Sequence, residues 1–364
     1  MINILIPLAG KGTFETDQSI PFPKILADVG GKLLVERAAA PFVNLAADKK
    51  IVVALPKEES ERYRLNKVLG LLSPDLEICN INGATQGAAC SALLTIEKLD
   101  LDAPLVIASF EQVLNIDLQS VIDRFLSEDV DAGVLTFDAI HPKWSYVKFD
   151  EHFRVHQAAE KSPISRHAIA GFYFFKSARA FIEAAKEMVR KDEKTNGLFY
   201  IAPTLNEIIL KEGLVRAIPI DNKDYFHITD AHALEHYEAV VADELKHKTK
   251  HLHSLTEQYV DAFDSKDLDK VGAFFDENFA LTDPSKSVKG KSNVLAYIKG
   301  IFDSVGDISF TAKNIIVSNN AFSVIEFELI IDETRLIGTD VITWSTEGLM
   351  TKMDAYLYEK NDES

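Results

Sequence analysis

The chain has 364 residues, 47% of them hydrophobic and 26% charged, an ordinary globular composition and enough length for two domains with separate cores. Its formal net charge of −17 speaks against a general nucleic-acid binder or an acidic-membrane binder, although a small basic site can sit inside an acidic protein. No apolar run approaches the roughly 20 residues of a membrane span, and a strand pattern follows Met1 at once, so the expected location is the cytoplasm.

In chain order, a buried strand is predicted from Ile4 to Ile6, followed by the loop Leu8, Ala9, Gly10, Lys11, Gly12, Thr13, then Pro23, Lys24 and a Gly-Gly turn. Further strands are expected at 51–55 (IVVAL), 105–108 (LVIA), 133–137 (GVLTF) and 171–175 (GFYFF). Apolar residues at helical spacing fall between them at 32–42, 58–72, 86–98, 118–126 and 178–191. Such alternation predicts an α/β layer structure with a mainly parallel sheet, whose ligands bind beyond the carboxyl ends of the strands. The loops after Ile6 and Ala108 lie at those ends. Cys79 and Cys90 lack any metal-ligand or CxxC spacing and are expected as free thiols.

A boundary is expected where ADELKHKTKHLH runs rich in Lys and His, giving a domain over 1–240, a linker over 241–253 and a second domain over 254–364. His247, His251 and His253 read as a solvated helix face, since no carboxylate cluster accompanies them. Beyond it, helices at 256–264, 268–275 and 292–304 precede four long alternating strands at 308–318, 321–331, 335–345 and 349–358. That order predicts an α+β domain with one curved antiparallel sheet, turned at Asn319-Asn320 and Glu347-Gly348. From His251 onward the chain carries 20 acidic and 10 basic residues, so the second part holds most of the negative charge.

Several stretches carry candidate chemistry. A Gly-x-Gly loop with Lys11 and Thr13 has the parts to bring backbone N–H groups to a phosphate, or is simply a tight turn. Lys24 reads alone as a surface lysine after a proline, and Thr85-Gln86-Gly87 as a helix cap with a flexible turn. Taken together in order, IPLAGKGT (6–13), FPKILADVGGKLLVERA (22–38), GATQGAACSALL (83–94), LVIASFEQ (105–112), HPKWSYVKFD (141–150), AEKSPIS (159–165), AGFYFF (170–175) and NGLFYIAPTLNEII (196–209) resemble the sugar-phosphate nucleotidyltransferases, most of all the branch associated with surface-polysaccharide gene clusters.

The resemblance implies a three-layer, Rossmann-like (GT-A-type) domain that joins a nucleoside triphosphate to a phosphorylated acceptor and releases pyrophosphate. It implies that Leu8, Ala9, Gly10, Gly12 and Thr13 wrap the triphosphate and that Lys11 and Lys24 neutralise it. It places Thr85, Gln86 and Gly87 at a base-reading loop, where a pyrimidine fits a tight loop more readily than a purine. Magnesium would be held by Glu111, where the family has an aspartate, with Asp230 as second ligand; Asp230 or Thr229 also reads as a helix N-cap. Glu160 and Lys161 would bind the acceptor, with Trp144, Tyr146, Asn196 and Gly197 near it; an aromatic core cluster and a turn explain the last four as well. Two departures stand out: the family's loop continues with an arginine where this chain has Phe14, followed by Glu15 and Asp17, and at the family's further metal site, near its final strand-to-helix turn, only Asp224 or Asp230 could stand in. The expectation is therefore a nucleotidyltransferase, or a relative that binds a nucleotide or nucleotide sugar without turnover.

The last third resembles a nuclear-transport-factor-2-like (SnoaL-like) cone, on LTEQYVDAFDSKDLDKVGAFFDENFALTDP and the strand endings GTDVITW and KMDAYLYE. Members of that family are small isomerases and hydrolases, or dimerisation modules, so a homodimer through this part is expected. Asp283, Asp340, Trp344 and Asp354 alternate with apolar residues; the preferred placement is the solvent face of the sheet, the other being the pocket.

Overall fold

The computed structural model describes residues 1–8, 14, 22–318 and 321–359. It divides into two compact units, Met1–Ala239 and Val240–Ser364. The helix Ala231–Asp264 begins in the first and continues into the second, and the stretch 241–253 is part of it.

In the first unit the described strands form a nine-stranded mixed sheet. Its main path runs Val155–Glu160, Ser145–Phe149, His167–Phe175, Leu105–Ile107, Ile2–Pro7, Lys49–Pro56, Leu76–Ile81. Ala132–Asp138 pairs with His167–Phe175 and, in parallel, with Val215–Pro219. The strands at 2–7, 49–56, 76–81 and 105–107 are parallel, so their carboxyl ends share one edge. His167–Phe175 runs antiparallel to Leu105–Ile107, which carries its amino-terminal half past that same edge. The expected mainly parallel sheet is thus corrected to a mixed one. The strand LEICNI at 76–81 and the hairpin at 145–160 interrupt the apparent alternation because they are only half-buried and carry polar residues.

Local chemistry explains the helices. Ala178–Arg190 starts where the Ser177 hydroxyl accepts from the Ala180 amide, and it turns Phe181, Ile182, Ala185 and Met188 into the core. The expected single helix over 58–72 is two, Lys57–Arg62 and Leu65–Gly70, because Arg64 adopts a left-handed φ of 52°. Gly133 lets the Phe125 ring lie on the sheet, since a Cβ there would stand 2.5 Å from it; Phe125 in turn stacks on Phe174 at 5.3 Å.

The second unit has a six-stranded sheet in the order Ser287–Lys289, Phe275–Thr282, Met350–Glu359, Thr334–Trp344, Phe322–Ile331, Ile308–Ser318. Four of these are the expected meander, paired antiparallel. The fifth, Phe275–Thr282, pairs in parallel with Met350–Glu359, so the sheet is not wholly antiparallel. Its sequence reads as the end of a helix, but Leu268–Ala273 stops first and Phe275 and Phe279 turn into the core. The turn at Asn319-Asn320 lies outside the described residues.

Candidate active site of the first unit

At the carboxyl edge of the first unit's parallel strands, polar clasps hold several loops together. One clasp centres on Gln112, which is buried beside Glu111. Its amide donates to the Gly171 carbonyl at 2.9 Å, and its oxygen accepts from the Tyr225 hydroxyl at 3.3 Å. Gly171 has φ +56°, and a Cβ there would lie 1.9 Å from that amide oxygen, so glycine is required by the close approach. Gln112–Leu114 pairs antiparallel with Tyr225–His227, with Gln112 opposite His227, and the Ile228 amide donates to the Glu111 carbonyl at 2.8 Å. The sequence reading did not find Gln112 or His227.

His227 lies edge-on to Trp144 at 4.7 Å, in a cluster with Tyr225 and Phe137. Burial, with the Lys143 charge adding to it and Asp230 opposing, pushes its imidazole down to about 4, so it is neutral at ordinary pH. Its Nδ1 is buried and has no hydrogen-bond partner among the described residues. Asp230 is exposed, and its Oδ1 accepts from the Ala233 amide at 2.8 Å. It thus caps the N-terminus of Ala231–Asp264.

A second clasp joins Glu160 and Lys161 to the loop that carries Gln86. The Ser145 hydroxyl donates to the Glu160 carboxylate, and the Lys161 amine donates to the Tyr200 hydroxyl at 2.8 Å. Burial raises the Glu160 carboxyl, against opposing contributions from Ser145 and Lys161. Lys161 sits at φ 52°, its amide donating to the Trp144 carbonyl. Next to Tyr200, the Phe199 amide donates to the Gln86 carbonyl at 2.7 Å and the Ala89 amide to the Phe199 carbonyl at 3.2 Å. Hydrogen bonds and chain continuity thus link Glu160, Lys161, Tyr200, Phe199 and Gln86.

This geometry revises several expectations. Gly87 makes its close approach to backbone: at φ +112°, a Cβ would lie 2.3 Å from the Phe199 carbonyl oxygen. Thr85 shares a 2.7 Å hydrogen bond with Ser91 and faces its own helix. Tyr146 is fully buried and donates to the His141 carbonyl at 2.7 Å, while the half-buried Trp144 packs on Phe137, Tyr225 and His227. Asn196 and Gly197, at φ 51° and 77°, form an exposed two-residue turn closed by Thr195 and Leu198. Leu8 is buried and spends its amide on Ala54 and Ile6 carbonyls, leaving none for a phosphate. Ala9, Gly10, Lys11, Gly12 and Thr13 lie outside the described residues.

Lys24 is only 7% exposed and has no ion pair with a described residue. Ionic groups of this kind are costly to bury without a partner. Phe14 is buried. Among the described residues no group of three or more His, Cys, Asp or Glu side chains is arranged to hold a metal.

The first unit has the fold of the nucleotide-sugar pyrophosphorylases. A nucleoside-diphosphate-sugar pyrophosphorylase from Vibrio cholerae is 21% identical, with a TM-score of 0.54, over 66% of this chain and all of that one. A UDP-glucose pyrophosphorylase solved with UDP-glucose is 14% identical, with a TM-score of 0.53, over 67% of this chain and 100% of its own. A protein of Bacillus anthracis assigned as a glucose-1-phosphate thymidylyltransferase, solved with a sucrose, is 17% identical over 67% and 96%, TM-score 0.53. In the second unit, residues 256–352 match the family model described as a SnoaL-like domain. No curated protein matches the chain. No helix among the described residues is long and apolar enough to cross a membrane.

Proposed function

We propose that the first unit is a nucleotidyltransferase that joins a nucleoside triphosphate, with a pyrimidine favoured, to a phosphorylated sugar or related small molecule. The observation that supports this most is Lys24, a buried lysine without an anionic partner among the described residues, on the segment that follows the glycine loop. Such a lysine is stabilised by an incoming phosphate. A phosphate oxygen of the acceptor attacks the α-phosphorus, the bond from that phosphorus to its bridging oxygen breaks, and pyrophosphate leaves with the electron pair. Lys24 offsets the charge that builds on the α-phosphate, while Lys161, oriented by Tyr200, holds the acceptor phosphate, and Glu160 orients its hydroxyls.

A magnesium ion fits this donor set in part: one carboxylate, Glu111, suffices for an ion that takes its remaining ligands from substrate phosphates and water. Glu111 would hold it, and its charge would neutralise the triphosphate. In the same reading the protein acts in the cytoplasm, in polysaccharide precursor synthesis, and is a homodimer through its second unit. Support for the dimer comes from Ile316, Phe322, Tyr356 and Tyr358, exposed together on the outer face of that sheet. The two domains and the boundary near 241–253 belong to the same proposal.

The buried Phe14 favours a second reading, a binder of nucleotides or nucleotide sugars without turnover. Pyrophosphate release from each nucleoside triphosphate, with magnesium and a panel of sugar 1-phosphates, separates the two. Release that depends on the acceptor supports transfer; nucleotide binding by calorimetry with no release from any combination leaves only the binder.

A further inference from the structure

Ser145 opens the strand Ser145–Phe149, Glu160 closes the strand Val155–Glu160, and the antiparallel register sets the two directly opposite each other. The Cβ atoms of such a pair stand about 5 Å apart, so a short hydroxyl on one strand meets the longer carboxylate on the other. The Ser145 hydroxyl accordingly donates to Glu160 Oε2. Oε1 has no hydrogen bond among the described residues, and the side chain is half-buried rather than enclosed.

A second hydroxyl backs the first. Tyr173, on His167–Phe175, is buried with its hydroxyl hydrogen-bonded to Ser145, and the Glu160 charge acts on it. A serine oxygen that gives its proton to a carboxylate keeps lone pairs for a donor. Tyr173 thus donates to Ser145 and Ser145 to Glu160, with both dipoles pointing the same way. Burial holds the phenol protonated. Beyond Tyr173 lies Tyr225, whose hydroxyl is spent on Gln112. Burial raises the Glu160 carboxyl; the Ser145 hydrogen bond is the first influence against it, ahead of the Lys161 charge. Lys161 turns its amine to the Tyr200 hydroxyl.

We infer that Ser145, backed by Tyr173, is a positioning residue of the acceptor site: it holds Glu160 Oε2 and leaves Oε1 to accept a hydrogen bond from an acceptor hydroxyl. This rests on the reading of Glu160 as an acceptor-binding group and adds what aims it. A buried, unrestrained glutamate is free to change rotamer and gains by taking up a proton; the line of hydroxyls opposes both, and a carboxylate is the stronger acceptor.

The test follows the Glu160 carboxyl in the full chain by carbon-13 spectra of glutamate-labelled protein over pH 4–9, assigned by the loss of its signal in Glu160→Gln. Lys161 and Tyr173 are the charged and titratable groups that act on it. Ser145→Ala should move its titration to higher pH by about one unit or more, Tyr173→Phe should move it the same way by less, and Ser145→Thr, which keeps the hydroxyl, should leave it in place. The same signal reports the binding of glucose, galactose and mannose 1-phosphates. At pH 7 Ser145→Ala should weaken that binding roughly tenfold, the deficit should shrink toward pH 9 as Glu160 ionises again, and affinity for uridine triphosphate should hold. The sugar phosphate's own ionisation is common to all variants and cancels between them. The inference is overturned if the titration does not move in Ser145→Ala, if threonine fails to preserve it, if sugar phosphate and nucleotide weaken alike, or if Glu160 responds to none of the sugar phosphates. Should Ser145→Ala fail to fold, Tyr173→Phe decides by the same signs. Pyrophosphate release measured in parallel judges transfer separately: none from the unaltered chain, with Glu160 responding as described, removes transfer and upholds the positioning role.

Discussion

The two units handle buried charge in opposite ways. At the first unit's site a lysine is buried without a described anion, and the surrounding groups come from loops pinned to one another by Gln112, Tyr200 and the Phe199 backbone. In the second unit a carboxyl is buried without a cation among the described residues, on a strand in the middle of a regular sheet. Burial raises the Asp340 carboxyl to about 7, so that core can hold it as a neutral acid, whereas a buried ammonium is offset by an anionic ligand. A loop-built site can adapt to a large polyanionic substrate, while a sheet-built core has a fixed shape.

The largest effect expected from breaking this contrast is at Lys24. Replacement by alanine should lower acceptor-dependent pyrophosphate release on the order of 10²–10³-fold, whereas Asp340→Asn should leave it unchanged. Asp340 itself should dominate the pH dependence of the second unit. Its carboxyl is raised to about 7 when folded against about 4 unfolded, so the folded form binds more protons across that interval. Stability is then fully present below about pH 4 and falls as pH rises toward and past 7, by roughly 3–4 kcal/mol. Melting curves of Asp340→Asn should show the second unit's transition raised at pH 8 relative to the unaltered chain, with the slope over pH 4–7 flattened.

A smaller loss is expected where the site's loops touch. Gly87→Ala forces a Cβ toward the Phe199 carbonyl from a left-handed φ, and should cost about 2 kcal/mol in urea denaturation of the first unit. The smallest effect is at Tyr200→Phe, which leaves the Lys161 amine without its 2.8 Å partner. It should raise the acceptor KM by about five- to tenfold with kcat little altered, a cost of roughly 1 kcal/mol.

The sequence carried much of this. Buried apolar runs and helical spacing located the main parallel strands and the principal helices, because burial of a regular element leaves a period in the chain. Ordered motifs brought out Lys24, Glu111, Glu160 and Lys161. Half-buried or short strands such as 76–81 and 112–114 left little signal, since neither face is wholly apolar or long enough to show alternation.

What the chain could not decide alone was which face each polar residue meets. Gln112, His227 and Tyr200 matter through partners 59, 115 and 39 positions away, and no local pattern encodes such contacts. Asp340 sits in an alternating strand where a one-residue change of register would expose it. Local burial patterns in the amino-acid order set the two units and their chief elements, and cap and turn residues such as Asp230, Asn196 and Gly197 were already legible there; tertiary pairing alone placed Asp340 in the second unit's core.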